Sequence, residues 1–320
     1  MVTQLRQRKL SMELSEMAFK VAQGAATLDG LKEFYLKYFN KDDHQDQGDL
    51  PLSSVSLDLE QILESTYAEQ GVRWRLNCLN KALGSLRLGD FGFIFARPET
   101  GKTTFLASEI TNMLQQTEKP VVWLNNEEQG AKVMLRIYQA YFGVTTAQLM
   151  ASHKKYRDEF MAQTEGRFYL FDSAIIDRKQ VEKIVGRLNP QVLIYDQIDK
   201  IRGFASDRED LRLGAIYQWA RELAKSNHAA IGVCQADGTA ENVRYLTMEH
   251  VANAKTAKQA EADWILGIGK SHDMEKARFF NISKNKLIGD KDSLPDLRHG
   301  RFETMLEPSI ARYIDVMKYD

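Results

Sequence analysis

Cysteine, proline and net charge are all scarce in this chain: 2 Cys and 6 Pro in 320 residues, and 43 Lys+Arg against 44 Asp+Glu for a formal charge of -1. Two cysteines, Cys78 and Cys234, cannot build a disulfide framework or a four-cysteine zinc site, so a reducing compartment is expected. Cys234 lies in an apolar run and reads as a small core residue. The near-zero charge excludes the strongly basic footprint of a histone-like or sliding nucleic-acid binder, although a local basic channel would leave the sum unchanged. No stretch approaches the roughly 18 apolar residues needed to cross a bilayer, and Met1 to Lys9 mixes charged and polar residues with no apolar segment behind it. A cytoplasmic protein without a membrane partner is expected. The 6 histidines show no metal-ligand or triad spacing. Internal repeats and low-complexity tracts are absent.

What is present is a globular composition, 43% hydrophobic and 27% charged. Its length suits one large α/β domain with an appendage, or two ordinary domains. In residues 11–39, Met12, Leu14, Met17, Ala18, Val21, Leu31, Phe34, Tyr35 and Tyr38 recur at helical spacing, with a break near Gly24 to Gly30 that predicts two amphipathic helices. The polar, acidic run 40–50 reads as a linker, and residues 57–67 read as helical again. Asp42, Asp43, His44, Asp46 and Asp49 do not fit the calcium-loop spacing and are expected to form a solvated loop. From about Val72 short apolar runs alternate with helix-period segments, the pattern of a parallel sheet with crossover helices. Five strands are predicted, at 91–95, 121–124, 168–171, 192–195 and 230–234, with further strands at 264–267, 278–282 and 312–316 on one side of the sheet. The division expected is a helical N-terminal region and linker over 1–70, followed by an α/β domain with a mainly parallel sheet flanked by helices over 71–320.

The most specific motif follows the first strand: Ala96-Arg97-Pro98-Glu99-Thr100-Gly101-Lys102-Thr103, running into a helix that starts near Thr104. Strand, loop and helix in that order are the context a phosphate-binding loop needs, because N–H groups at the helix N-terminus and the helix dipole stabilise phosphate charge. Lys102 is the group to reach the β- and γ-phosphates of ATP, and Thr103 offers a hydroxyl to Mg²⁺. Ala96 stands where the generic motif has glycine, which a loop tolerates if the backbone there keeps a negative φ. Asp196, ending the apolar run Val192 to Tyr195, is the expected acid of the Mg²⁺ shell. Asp199, three residues on, reads as a turn or surface carboxylate. Glu127 and Glu128 follow the second strand, and one of them is the expected catalytic carboxylate. Glu127 is nearer the strand end; the alternative is that both acids open the next helix, where they suit its dipole. Gln235, closing the strand at 230–234, is placed to sense the γ-phosphate or is an ordinary turn residue.

With these residues in place, the chain from about Arg73 onward resembles the RecA-like core of the DnaB-type hexameric replicative helicases, including their phage relatives. ARPETGKTTF is similar to that family's phosphate loop, the alanine and the Arg-Pro pair included. VVWLNNEE places Glu127 at the family's catalytic glutamate, Asp196 at its Walker B aspartate and Gln235 at its polar sensor. KTAKQAEADWI (255–265) resembles the segment before a late strand, with Asp263 at the acidic position. Ile282-Ser283-Lys284-Asn285-Lys286 resembles a Lys-x-Arg element that reaches the ATP of the neighbouring subunit, so Lys284 and Lys286 become candidates for that role. Lys286 stands where arginine is usual, and supplies charge without the planar fork. The alternative is an exposed lysine pair on an edge strand.

The resemblance implies a homo-oligomeric ring, a hexamer, that hydrolyses ATP with Mg²⁺, moves 5′-to-3′ on single-stranded DNA and unwinds duplex, in a bacterial host cell if the chain is phage-encoded. It also implies a separate primase, polymerase or loader as partner, and the first 70 residues either dock on a neighbouring subunit, bind such a partner or pack on their own core. DNA would meet the loops after the Walker B and sensor strands, 202–212 and 237–258. Arg202, Arg244, Lys255 and Lys258 are the candidates, with Lys255 and Lys258 ahead of Arg208. A RecA-like recombinase or recombination mediator, and a regulatory ATPase of the KaiC type, are the rival readings of the same core.

Overall fold

A computed structural model describes residues 13, 15–27, 30, 58–59, 71–225, 228–287 and 297–316. The chain divides into two units, Met1–Asp58 and Leu59–Asp320. In the first, residues 15–22 are helical with Lys20 paired to Glu16 one turn back, and the helix stops at Gly24, whose φ of 73° no helix continues. The acidic run 40–50, most of the helix expected over 57–67, and most of the second helix expected before residue 39 lie outside the described residues.

In the second unit the described residues form a nine-stranded sheet in the order β3-β2-β4-β5-β1-β6-β7-β8-β9. The strands are β1 Phe91–Ala96, β2 Val121–Asn125, β3 Phe168–Asp172, β4 Val192–Asp196, β5 Ala229–Gln235, β6 Trp264–Gly269, β7 Ala277–Asn285, β8 Arg301–Glu307 and β9 Arg312–Asp315. The first six pair in parallel and β7 to β9 continue the sheet antiparallel from β6. β1, β2, β4 and β6 are buried along their whole length, as strands covered on both faces must be, which explains their unbroken apolar runs. The helices are α1 Asn77–Leu83, α2 Lys102–Leu114, α3 Gly130–Phe142, α4 Thr146–Ala151, α5 His153–Thr164, α6 Arg178–Leu188, α7 Glu209–Lys225 and α8 Lys255–Glu261. One apolar cluster lies under α2 and α3 and includes Trp74, Phe105, Trp123 and Trp264; another lies under α6 and α7 and includes Phe93, Tyr195, Ile216 and Trp219.

Every predicted strand is present, and β8 is an addition. Most of its residues are exposed or half-exposed and it carries Arg301, Glu303 and Glu307, so no apolar run announces it. Asp263, at the acidic position of the late-strand segment, holds the sheet together. Its backbone N–H donates to Phe91 O at 2.7 Å, its carboxylate accepts from Phe91 N at 3.0 Å, and it is ion-paired with Arg221 of α7. Asp315 of β9 accepts from the N–H groups of Asn77 and Cys78, at 2.7 and 3.1 Å, and so caps α1 from the far end of the sequence. No helix among the described residues is long and apolar enough to cross a membrane.

Candidate nucleotide-binding site

Parallel strands deliver their C-terminal ends, and the loops that follow them, to one edge of the sheet. β1, β2, β4 and β5 therefore bring the phosphate loop, Glu127, Asp196 and Gln235 to the same edge, with Ala96 in register with Gln235 and Asn125 with Asp196. Ala96 is the last residue of β1 and keeps a strand conformation, so its methyl group costs the loop nothing. The turn falls later, at Glu99 with φ 58° and at Gly101 with φ 103°, and α2 begins at Lys102, two residues before the expected Thr104.

Lys102 is 6% exposed, and its ammonium lies 3.2 Å from each of the carbonyl oxygens of Ala96 and Arg97. Burial lowers its pKa, and the nearby carboxylates of Glu127 and Asp196 oppose that shift. Thr103 and Thr104 are half-buried in the first turn of α2, and Thr100 is buried. Arg97 turns out of the loop, donating to Ala236 O at 3.2 Å and pairing with Glu241 at 3.1 Å, so it ties the loop to the segment after β5. Pro98 and Glu99 are exposed.

Asp196 is 1% exposed; Trp123 Nε1 donates to its Oδ2 at 3.3 Å, while Oδ1 has no hydrogen-bond partner. Burial, and then the negative charge of Glu127, push its pKa up to about 7. A buried carboxylate with an orphaned oxygen, near a loop that ends Lys-Thr, fits a divalent cation held with Thr103, which would supply positive charge to bound phosphate.

The two adjacent glutamates have different environments. Glu128 is held in a two-pronged ion pair with Arg136 of α3. Glu127 is exposed and accepts a 2.6 Å hydrogen bond from Gln197 Nε2. Gln197, the residue after Asp196, sits at φ 62°, and its carbonyl accepts from Asn126 Nδ2 at 3.2 Å. Gln197 and Asn126 are additions to the residues expected from sequence, where a neutral amide directly after the strand-ending aspartate was the available signal.

Lys258 corrects an expectation. It is 0% exposed, donates to Asp199 at 2.6 Å and to Ala252 O at 2.8 Å, and lies 5.4 Å from the centre of the Tyr217 ring. It therefore presents no ammonium to DNA, and Asp199, which lies in a turn after β4 as expected, is also the fixed partner of that buried lysine and of the Tyr217 hydroxyl, at 3.1 Å. The reason is topological: α8 packs on α7, which turns Lys258 inward beneath the loop. Arg202, Arg244 and Lys255 are exposed. Arg244 pairs with Asp273 at 2.9 Å, and Lys255 with Asp237 at 2.9 Å and with the Glu249 carbonyl. Lys284 turns onto the carbonyls of Gln259 and Ala260 at the end of α8, whereas Lys286 is exposed and pairs through its backbone N–H with Asp263 O at 2.7 Å.

Comparison with known proteins agrees with this architecture. A family model described as an AAA domain matches residues 60–236. The replicative DNA helicase DnaB of Pasteurella multocida is 23% identical over 269 residues, which is 74% of this chain and 57% of that protein. The DnaB of Buchnera aphidicola subsp. Schizaphis graminum is 24% identical over 194 residues, 52% of this chain and 41% of that protein. The chain spans about half the length of these curated relatives. Among solved structures, one described as an ATPase domain superposes with a TM-score of 0.65 at 14% identity, covering 81% of this chain and 95% of that one. A DnaB-like replicative helicase, described with its interactions with primase, gives 0.70 at 12% identity, covering 98% and 78%. The AAA-domain match takes in more than half of the chain, from before β1 to the end of β5, and the chain belongs to that AAA-domain family.

Proposed function

We propose that this chain is the ATP-hydrolysing motor of a replicative DNA helicase. The observation that carries the reading is the convergence of Lys102, Asp196 and Glu127 at one sheet edge, with the loops after β4 and β5 leaving from that same edge. Lys102 and the loop N–H groups bind the β- and γ-phosphates, and Thr103 and Asp196 would hold Mg²⁺, which would supply positive charge to those phosphates. Glu127, kept in place by Gln197 and free of the ion pair that occupies Glu128, orients and deprotonates the attacking water. Gln235, beside Ala96, reports the γ-phosphate to the segment that follows it.

In this reading the motor works as a ring, a hexamer, in which Lys286 of one subunit approaches the ATP of the next. Arg202, Arg244 and Lys255 contact single-stranded DNA, and sequential hydrolysis moves the strand 5′-to-3′ through the ring while the complement is excluded. A primase is the partner that the DnaB-like structural neighbour suggests, with a polymerase or loader beside it.

The test is strand release from a forked DNA with ATP and Mg²⁺, comparing the native chain with Lys102→Ala. Release by the native chain alone is expected. DNA-stimulated ATP hydrolysis that vanishes in Lys102→Ala, with no release from either fork polarity, would overturn the autonomous-helicase reading in favour of a recombinase or a motor that needs a partner.

A further inference from the structure

A phosphate loop works by turning its N–H groups inward onto the phosphates, which turns its carbonyls outward. Outward carbonyls in a buried loop need donors. Thr100 is 1% exposed, and its carbonyl accepts from Arg278 Nε at 2.6 Å and lies 3.4 Å from the Tyr313 hydroxyl; the Gly101 carbonyl lies 3.3 Å from that same hydroxyl. Neither donor belongs to the parallel core, since Arg278 is on β7 and Tyr313 on β9.

Both side chains are fixed from behind. Arg278 is 7% exposed, with Nη1 donating to Glu275 O at 2.7 Å and Ala277 O at 2.8 Å. Tyr313 is 1% exposed, meets Phe105 of α2 edge-on at 5.5 Å and lies 5.7 Å from Phe280, and its N–H donates to Ser108 Oγ at 3.1 Å. A Cβ built on Gly101 would come within 2.8 Å of the Tyr313 hydroxyl, so the phenol lies flush against the turn that feeds Lys102 into α2. Arg278 also acts electronically. A cationic donor on the Thr100 carbonyl polarises that peptide, and the N–H on its other side, that of Gly101, becomes a stronger donor.

We infer that Arg278 and Tyr313 are positioning residues for the nucleotide phosphates: the antiparallel extension holds the loop in its phosphate-accepting form and strengthens the Gly101 N–H. The inference rests on the reading of the loop as an ATP site and adds to it two residues from outside the motif. It separates recognition of the phosphates from the catalytic groups after β2 and at the end of β4, so the two fail differently on mutation.

The experiment is calorimetric titration of the full chain with ADP and with a non-hydrolysable ATP analogue, together with steady-state ATP hydrolysis. Arg278→Gln, Arg278→Lys, Tyr313→Phe and, as a control on the same strand away from the loop, Ile282→Val are compared with the native chain. Loss of a charge-assisted hydrogen bond to the loop is expected to weaken both nucleotides about tenfold in Arg278→Gln, with KM rising more than kcat falls. Arg278→Lys is expected to recover part of the loss, since it keeps the charge without the fork, and Tyr313→Phe to weaken binding about threefold. Ile282→Val is expected to lower the melting temperature and leave nucleotide affinity as it was. Affinities within twofold of native in a folded Arg278→Gln overturn the inference; if that variant does not fold, unchanged affinity in both Arg278→Lys and Tyr313→Phe overturns it. Absence of nucleotide binding by the native chain overturns the ATP reading and this inference with it.

Discussion

Replacing Lys258 by methionine separates the two roles a lysine in that segment can have. The substitution keeps the volume of the stem and removes the ammonium, so the Asp199 carboxylate loses its 2.6 Å partner and the Ala252 carbonyl its 2.8 Å donor. Breaking a buried ion pair from one side costs about 3–5 kcal/mol when the remaining charge stays buried. The side chain of Asp199 is 23% exposed and keeps the Tyr217 hydroxyl, so water and that bond compensate part of the loss. A destabilisation of about 2–3 kcal/mol is therefore expected, measured as a shift of the denaturant midpoint at constant slope. In Lys258→Met/Asp199→Leu the orphaned carboxylate is gone, and at least about 1 kcal/mol of the loss should return as a favourable coupling. The same purified variant, assayed below its unfolding midpoint, should bind single-stranded DNA with native affinity and native salt dependence, because Lys258 contributes no charge to the surface. A stability loss under about 0.5 kcal/mol combined with a shallower salt slope would refute the buried-pair argument and return Lys258 to the DNA contacts.

Glu127→Gln should cut ATP hydrolysis at least about a hundredfold while nucleotide still binds, and Glu128→Gln should leave turnover within a few-fold of native, since Glu128 serves Arg136; single-turnover hydrolysis distinguishes them. Gly101→Ala should abolish nucleotide binding, because φ 103° is closed to alanine and its methyl group would meet the Tyr313 hydroxyl; calorimetry against ADP checks this. Glu109 contributes to the pH dependence of stability: it is 0% exposed and burial raises its pKa from 4.5 to about 7, while burial of His228, lowered to about 4, acts in the opposite direction. The folded pKa of Glu109 exceeds its unfolded one, so its stabilising contribution is complete below about pH 4.5 and is lost as pH rises to about 7, on the order of 3 kcal/mol in all. Asp90, raised to about 6, acts in the same direction. Denaturation midpoints measured from pH 5 to pH 7.5 should fall with pH, and Glu109→Gln should flatten the slope; a midpoint that rises with pH in both proteins would refute the assignment.

The parts of this fold that could be read from sequence are those where one physical demand dominates. Strands buried on both faces must be apolar throughout, so β1, β2 and β4 are visible as runs, and the phosphate loop is visible because its chemistry dictates residue types at fixed spacing. β8 was hidden because an antiparallel strand with a half-exposed surface carries arginine and glutamate. Lys258 reads as a surface cation because its segment mixes alanine with Lys255, Thr256, Gln259 and Glu261 and has no large apolar residue, while the partner that claims it, Asp199, lies 59 residues away. Arg278 and Tyr313 left no local trace for the same reason, being separated from Thr100 by 178 and 213 residues. Sequence spacing reports what a segment demands of itself, and these side chains answer demands made elsewhere in the chain.

The position of β1 in the sheet also governs when the site can exist during synthesis. The strand that carries the phosphate loop emerges early, but its two neighbours are β5 and β6, and the donors to its loop carbonyls arrive with β7 and β9. Until the ribosome has passed residue 269 the loop hangs from a strand flanked on neither or only one side, and until it has passed Tyr313 the loop is unclamped. Contacts of such sequence separation form late and slowly. A nascent or truncated chain can therefore display the whole phosphate-binding motif while the loop still lacks the strands and donors that hold its shape.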